Sequence, residues 1–313
     1  MAHVIGAAVV VFVLPAVMLD AVVGSLGVSA MFVGLILGVT GAKLGGTHHM
    51  ALVAPLVGVA AGLGAFTAYD WWWAVLLAGT GVLTGAGIGF GWFAPLLMVP
   101  FAATFVTQVT TGTDAVIYGV IVGIAALYGV AVARRFGALP VVNGDHLAPP
   151  VAGVVAIAFG AVLGGSAAIG VALGWTEPYW VPEPVLILVL YVITGKRDRI
   201  RGKALGTLVG VAAALPVALL DPPAGVLAVV GTVAFVAALT QAKKTYWLMY
   251  GLYTFSLILL LSAPGQVAFE AEERGVEILV GVGLLVVGLF IVHTIAGRLA
   301  ERDPQPELAP NPA

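Results

Sequence analysis

The sequence predicts an all-α polytopic membrane protein of about 12 transmembrane helices, and three observations carry that prediction. The 313 residues are 61% hydrophobic and only 9% charged, where a water-soluble chain carries roughly a quarter charged residues. Mean hydropathy is +1.12, more apolar sequence than one core can hide, because a domain of this size still exposes much of its surface. Runs such as Val185–Val192 and Ile278–Val292 are apolar on every face, whereas a membrane barrel would alternate over segments of about ten residues. Lipid offers the backbone no partners, so helices are what remains. Disorder, coiled coils and nucleic-acid binding are excluded. The absence of Cys removes disulfides, thiolate metal sites and Cys nucleophiles.

A spanning helix needs about 20 mostly apolar residues. Apolar runs between charges and Gly/Pro/Asp breaks place spans at 4–22, 27–42, 49–68, 72–90, 91–109 and 114–133. A second set falls at 150–174, 180–195, 203–220, 223–240, 246–263 and 275–296. The first run lacks the basic stretch of a secretory signal, since Met1-Ala2-His3 leads straight into it, so it reads as a helix.

Charge sets the orientation. With both termini in the cytoplasm, Lys43, Arg134, Arg135, Lys196, Arg197, Arg199, Arg201, Lys203, Lys243, Lys244, Arg298 and Arg302 are cytoplasmic. Only Arg274, of 13 Lys+Arg, faces outside, as the positive-inside rule requires. Shifting the count by one span would reverse every later loop and destroy this bias.

The chain also repeats itself. Leu56-Val57-Gly58-Val59-Ala60-Ala61 recurs as Leu208-Val209-Gly210-Val211-Ala212-Ala213, with Asp70 and Asp221 following each copy. Later, the Gly91-Trp92-Phe93 region matches Tyr246-Trp247-Leu248. Two parallel six-helix repeats follow, related by an axis along the membrane normal. They comprise a first membrane half at 1–135, a cytoplasmic linker at 136–149, a second half at 150–298 and a polar, disordered tail at 299–313. Gly34–Gly38, Gly58–Gly62 and Gly206–Gly210 are pairs of small residues that let helices approach in lipid.

Few residues carry chemistry. The glycines of Gly79–Gly91 lack the strand–helix context of a nucleotide loop, so close helix packing explains them. His48-His49 sits at a helix start, where an interfacial pair needs no metal. The acids do not fall at metal-ligand spacing, so neither metal nor other cofactor is expected, and no nucleophile–base set suggests an enzyme. Glu183, inside Trp180-Val181-Pro182-Glu183-Pro184, sits near the external end of its span, where prolines remove helix hydrogen bonds. An ionisable group at membrane depth is a functional candidate; an interfacial solvated carboxylate is the plainer reading. Glu277 follows Arg274 by three residues, the spacing of an ion pair on one helix face. His293, deep in the last span, adds an imidazole, a side chain able to carry a proton. Glu183, Glu277 and His293 are therefore the candidate proton carriers. The run Lys196-Arg197-Asp198-Arg199-Ile200-Arg201-Gly202-Lys203 forms a basic cytoplasmic mouth, suited to anchoring on anionic lipid or to concentrating an anionic substrate. Lys203 and Thr207, at i and i+4, point into the span.

At this run the sequence resembles the fusaric acid resistance / aromatic acid exporter (FUSC-like) family. The residues are Tyr179-Trp180-Val181-Pro182, Lys203-Ala204-Leu205-Gly206-Thr207-Leu208-Val209-Gly210, Lys244-Thr245-Tyr246 and Arg274-Gly275-Val276-Glu277. The likeness covers about 150–300. It departs in placing Lys203 where the family has Arg before Gly-Thr, and in lacking a large cytoplasmic domain. The resemblance implies efflux of small organic anions such as aromatic carboxylates, driven by the proton-motive force. The anion would bind near Arg201, Lys203, Thr207, Tyr246 and Trp247. Two alternatives stay open: a non-transporting membrane scaffold or assembly protein, and a transporter of another duplicated 12-helix superfamily. The expected partners are the anion and the lipid bilayer; the oligomeric state is open, a homo-oligomer included. The Ala/Val/Gly bias points to a GC-rich prokaryote and its cell (plasma) membrane.

Overall fold

The computed structural model describes residues 25–106, 108–136, 147–175, 177–193, 198–241, 245–262 and 265–302. The predicted first span, most of the linker, the tail from 303, and Lys196, Arg197, Lys243 and Lys244 lie outside the described residues. Every regular element among those described is helical. In chain order they are α1 (Ser25–Gly45), α2 (Thr47–Thr67), α3 (Trp71–Ala86), α4 (Phe93–Leu96), α5 (Met98–Thr104) and α6 (Gly112–Arg135). There follow α7 (Pro149–Leu173), α8 (Pro182–Ile193), α9 (Asp198–Leu220), α10 (Ala224–Gln241), α11 (Tyr246–Leu261) and α12 (Val267–Arg302). Short 3₁₀ turns at Gly87–Phe90 and Pro178–Trp180 extend α3 and precede α8.

By length and composition, seven of these are able to cross a membrane: α1, α2, α3 with its 3₁₀ extension, α6, α7, α9 and α12. Shorter apolar helices lie at Phe93–Thr104, Pro178–Leu190, Ala224–Ala238 and Tyr246–Leu260. Large apolar side chains stand on the surface, among them Trp72 at 69% and Phe290 at 69% exposure. Patches of that kind are unstable against water and suit lipid. The protein is a multi-pass, all-helical membrane protein.

Two elements differ from the sequence expectation. The run 91–109 is not one helix but α4 and α5. Pro100 has no N–H to donate to the carbonyl of Leu96; instead the Thr84 hydroxyl of α3 donates to Leu96 O at 3.0 Å, filling the vacancy that a break at membrane depth creates. Gly91, at φ 72, supplies the left-handed turn that ends the preceding 3₁₀ segment and that other residues adopt at a cost. The last helix, in turn, starts at Val267, well before 275. Ala268-Phe269-Glu270-Ala271-Glu272-Glu273-Arg274 contains good helix formers, and Glu270 in the first turn favours the helix N-terminus. Glu270, Glu272 and Glu273, which fall between the predicted spans 246–263 and 275–296, are thus helical.

The chain forms two compact units, Met1–Gly165 with Val286–Ala313, and Ser166–Leu285. In the first, α6 receives both α1 and α2 on glycine faces. A Cβ on Gly34 or Gly38 would strike the backbone of Val122 or Ala126, and one on Gly58 would lie 2.7 Å from Gly119 O. Gly81 and Gly85 of α3 abut Gly160 and Ala156 of α7 in the same way. Trp73, fully buried, donates from Nε1 to Ala103 O at 2.8 Å. In the second unit, α9 crosses α11 through Gly206 and Gly210. Ser256 of α11 donates to Gly231 O of α10 at 2.8 Å, and Ala214, Leu227, Ile258, Leu259, Val267 and Ala271 form the core. The two copies of Leu-Val-Gly-Val-Ala-Ala lie in α2 and α9, where Gly58 meets α6 and Gly210 meets α11.

Candidate functional site

The chemistry collects in the second unit, where α8, α9, α11 and α12 converge. Pro182 and Pro184 begin α8, a position where a missing N–H is tolerated, and they hold Glu183 in its first turn. Gly206 and Gly210 bring α9 onto α11, so that Lys203, one turn before Gly206, faces α11. Gly281 of α12 packs on the carbonyl of Val181 with Pro184 Cγ 3.1 Å from its Cβ position. That approach sets Arg274 and Ile278 beside Trp180.

Two ion-pair centres result. In one, Lys203 Nζ donates to both oxygens of Glu183, at 2.9 Å and 2.7 Å, while lying 5.0 Å from the centre of the Tyr250 ring. Lys203 is 1% exposed and Glu183 4%. In the other, Arg274 Nη2 donates to Glu177 Oε2, with Glu270 at 3.5 Å and Glu277 at 3.9 Å. The Arg274 guanidinium stacks 4.2 Å over the Trp180 ring. The Trp180 indole and the Tyr179 hydroxyl also donate to Glu177 Oε2, at 2.9 Å and 3.0 Å. Both centres open on one cavity of about 10 Å³, lined by Trp180, Glu183, Lys203, Thr207, Tyr250, Tyr253, Thr254, Arg274 and neighbouring apolar residues. That is room for about one water.

Several polar atoms there are buried without a hydrogen-bond partner among the described residues: the Thr207 hydroxyl, Arg274 Nε and Nη1, and both oxygens of Glu277. Buried polar atoms of this kind are costly and uncommon. Four carboxylates, Glu177, Glu183, Glu270 and Glu277, surround two cations, Lys203 and Arg274.

The candidates named from sequence divide accordingly. Lys203, Thr207 and Glu183 meet at the cavity, and Glu277 is buried against Arg274 as its i+3 spacing suggested. Arg201 is exposed on α9. Tyr246 stacks on Arg199 at 4.9 Å and on Tyr250 at 5.0 Å, outside the cavity. Trp247 is 39% exposed, and its backbone N and carbonyl lie against Gly202 and Gly206 of α9. His293 is exposed on the part of α12 belonging to the first unit. His49 lies 3.0 Å from Gly45 O through Nδ1 and packs on Trp92, and no cluster able to hold a metal occurs among the described residues.

The sequence reading set Glu183 near one membrane face and Lys203 near the other, yet they are bonded. The reason is length. α8 has 12 residues, about 18 Å at 1.5 Å per residue, against a hydrocarbon core of about 30 Å; Lys203 stands more than a turn inside α9. Tyr250, Tyr253 and Glu177 were missed. The tyrosines carried a signal, since Tyr246, Tyr250 and Tyr253 recur at i, i+4 and i+7, one helical face, a face that excludes Trp247. Glu177 carried none, because it lies in a turn far along the chain from Arg274.

Residues 163–288, which hold the entire site, match the family described as fusaric acid resistance protein-like. No curated protein matches the chain, and no solved structure does.

Proposed function

We propose that the chain, with residues 163–288 in the fusaric acid resistance protein-like family, is a membrane transporter of small organic anions, aromatic carboxylates foremost, that exports them in linkage with protons. One observation carries this reading: two buried cations, Lys203 and Arg274, share a single cavity walled by Trp180, Tyr250 and Tyr253. A cation at membrane depth is expensive and attracts an anion strongly where water is sparse. Aromatic faces beside it match the ring of an aromatic acid. The Thr207 hydroxyl and the Arg274 Nη1 and Nε protons have no hydrogen-bond partner among the described residues and supply donors for a carboxylate. Arg199 and Arg201, with the Tyr246–Tyr250–Tyr253 ladder, offer a route inward from the basic cytoplasmic mouth.

In this reading both termini are cytoplasmic, the membrane is the cell membrane of a prokaryote, and the two halves are parallel repeats. The test is flux of benzoate, as a representative aromatic acid, from proteoliposomes containing the purified protein. Lys203→Met, of similar length but uncharged, is expected to reduce protein-dependent flux to the level of empty vesicles. Equal flux with and without the lysine refutes the assignment.

A further inference from the structure

We infer that Glu183 is a built-in surrogate for the transported carboxylate: it occupies Lys203 in the resting state, and an incoming anion displaces it only as Glu183 takes up a proton. The inference rests on the anion-transport reading above and specifies how protons enter it.

Three observations lead to it. First, both oxygens of Glu183 sit on Lys203 Nζ at 2.9 Å and 2.7 Å, the arrangement a bound carboxylate anion would itself adopt. No other carboxylate bonds to Lys203 among the described residues. Second, the remaining space is about 10 Å³, so an external carboxylate gains access to Lys203 only if the Glu183 carboxylate leaves. Third, the environment gives a displaced, ionised Glu183 little to pair with. The charged and titratable groups around it are Lys203 on α9, Glu177 before α8, Arg274 with Glu270 and Glu277 on α12, and Tyr250 and Tyr253 on α11. Arg274 is already shared among three carboxylates. An added anion with Glu183 still ionised would raise the excess of negative charge at membrane depth, where an uncompensated ion is strongly unfavourable.

Charge balance then defines the exchange. The Glu183–Lys203 bond opens, the anion takes the place of the carboxylate on Nζ, and a proton from the aqueous phase binds Glu183. One anion and one proton enter together, so the net charge of the site is unchanged. The neutral Glu183 carboxyl has an O–H to donate, and the Thr207 hydroxyl is then able to bond the bound anion. Coupling is co-directional: anion and proton travel the same way, the membrane potential does no work on the pair, and outward flux is driven by accumulation of the acid inside.

The experiment is calorimetric titration of benzoate into the purified full-length protein in lipid nanodiscs, repeated in buffers of different ionisation enthalpy to count protons. The wild-type protein is expected to take up about one proton per benzoate at about pH 7.5, with affinity falling about tenfold per pH unit, as linkage of one proton requires. Glu183→Gln should take up none, lose the pH dependence and bind about tenfold or more tightly, because the competitor that kept the site closed is gone. Glu183→Asp retains a titratable carboxyl on a shorter arm and should keep the uptake while binding more tightly, which holds the test open if the amide variant fails to fold. Wild-type binding without proton uptake overturns the inference, as does uptake that persists unchanged in Glu183→Gln. A wild-type protein that binds no benzoate, or a Lys203→Met variant that binds it normally, overturns the transport reading beneath it, an outcome distinct from the other two.

Discussion

Lys203 and Glu183 place opposite charges where each is tolerable only because of the other. Removing one partner of a buried pair typically costs about 3–5 kcal/mol, whereas replacing both with apolar residues is often neutral or favourable. Glu183→Leu alone should therefore lower the thermal midpoint in detergent markedly. The double variant Glu183→Leu/Lys203→Met should recover most of that loss while remaining unable to bind benzoate, and a double variant no more stable than the single one contradicts the pairing. Thr207 behaves oppositely. Its hydroxyl is buried and without a hydrogen-bond partner among the described residues, so Thr207→Val relieves an unsatisfied group worth about 1–3 kcal/mol. The expected result is an unchanged or raised thermal midpoint together with benzoate affinity reduced about fivefold or more, the loss of one donor to a charged ligand. At this scale the sequence made the charged residues conspicuous, because ionisable groups are rare in apolar spans. It left their pairing invisible, since Glu183–Lys203 and Glu177–Arg274 are set by which helices touch.

Helix contacts in the second unit are governed by where Cβ atoms are missing. A Cβ on Gly210 would lie 2.5 Å from Gly251 O and 2.8 Å from Thr254 Cβ, and one on Gly206 would meet the carbonyl of Trp247. Both contacts are to backbone or to the base of a side chain, so α9 and α11 must separate to admit a larger residue. Gly210→Val is expected to lower thermal stability and benzoate binding together, because the same crossing positions Lys203 against Tyr250. Gly79 in α3 meets nothing within 4 Å; Gly79→Ala should be neutral or stabilise by about 0.5–1 kcal/mol, the helix-interior difference between the two residues. Equal effects from the two substitutions would show that packing at the crossing is not limiting. The small-residue spacing of Gly206–Gly210 was readable in the sequence, whereas 91–109 read as one span that Pro100 in fact divides. What spacing alone did not reveal was the remedy, the Thr84 hydroxyl on Leu96 O, which lets a broken helix persist without an orphaned carbonyl.

For the molecule as a whole, lipid is the solvent that decides what is stable. Trp71 and Trp72 are 60% and 69% exposed, and exposed residues such as Leu205, Leu208 and Val209 cover the outer side of α9. Such surfaces belong against acyl chains. All basic residues but Arg274 lie on one side of the proposed topology, and lysine and arginine in short loops set orientation. A green fluorescent protein fused after Ala313 should therefore fluoresce, and alkaline phosphatase fused there should be inactive; the reverse pattern overturns the cytoplasmic C-terminus.

Composition and the length of apolar runs by themselves determined a multi-pass helical membrane protein, because burying a backbone in hydrocarbon leaves few other solutions. They also marked Lys203, Thr207 and Glu183 as unusual, since polarity in such a chain is costly wherever it falls. Only the tertiary structure decided that these three share a cavity with Arg274, Tyr250 and Tyr253, and that Arg201, Trp247 and His293 do not. The physical reason is that depth and facing depend on helix length and helix crossing: α8 is too short to hold Glu183 at the far membrane face, and two glycines let α9 lie close enough to α11 for Lys203 to reach it.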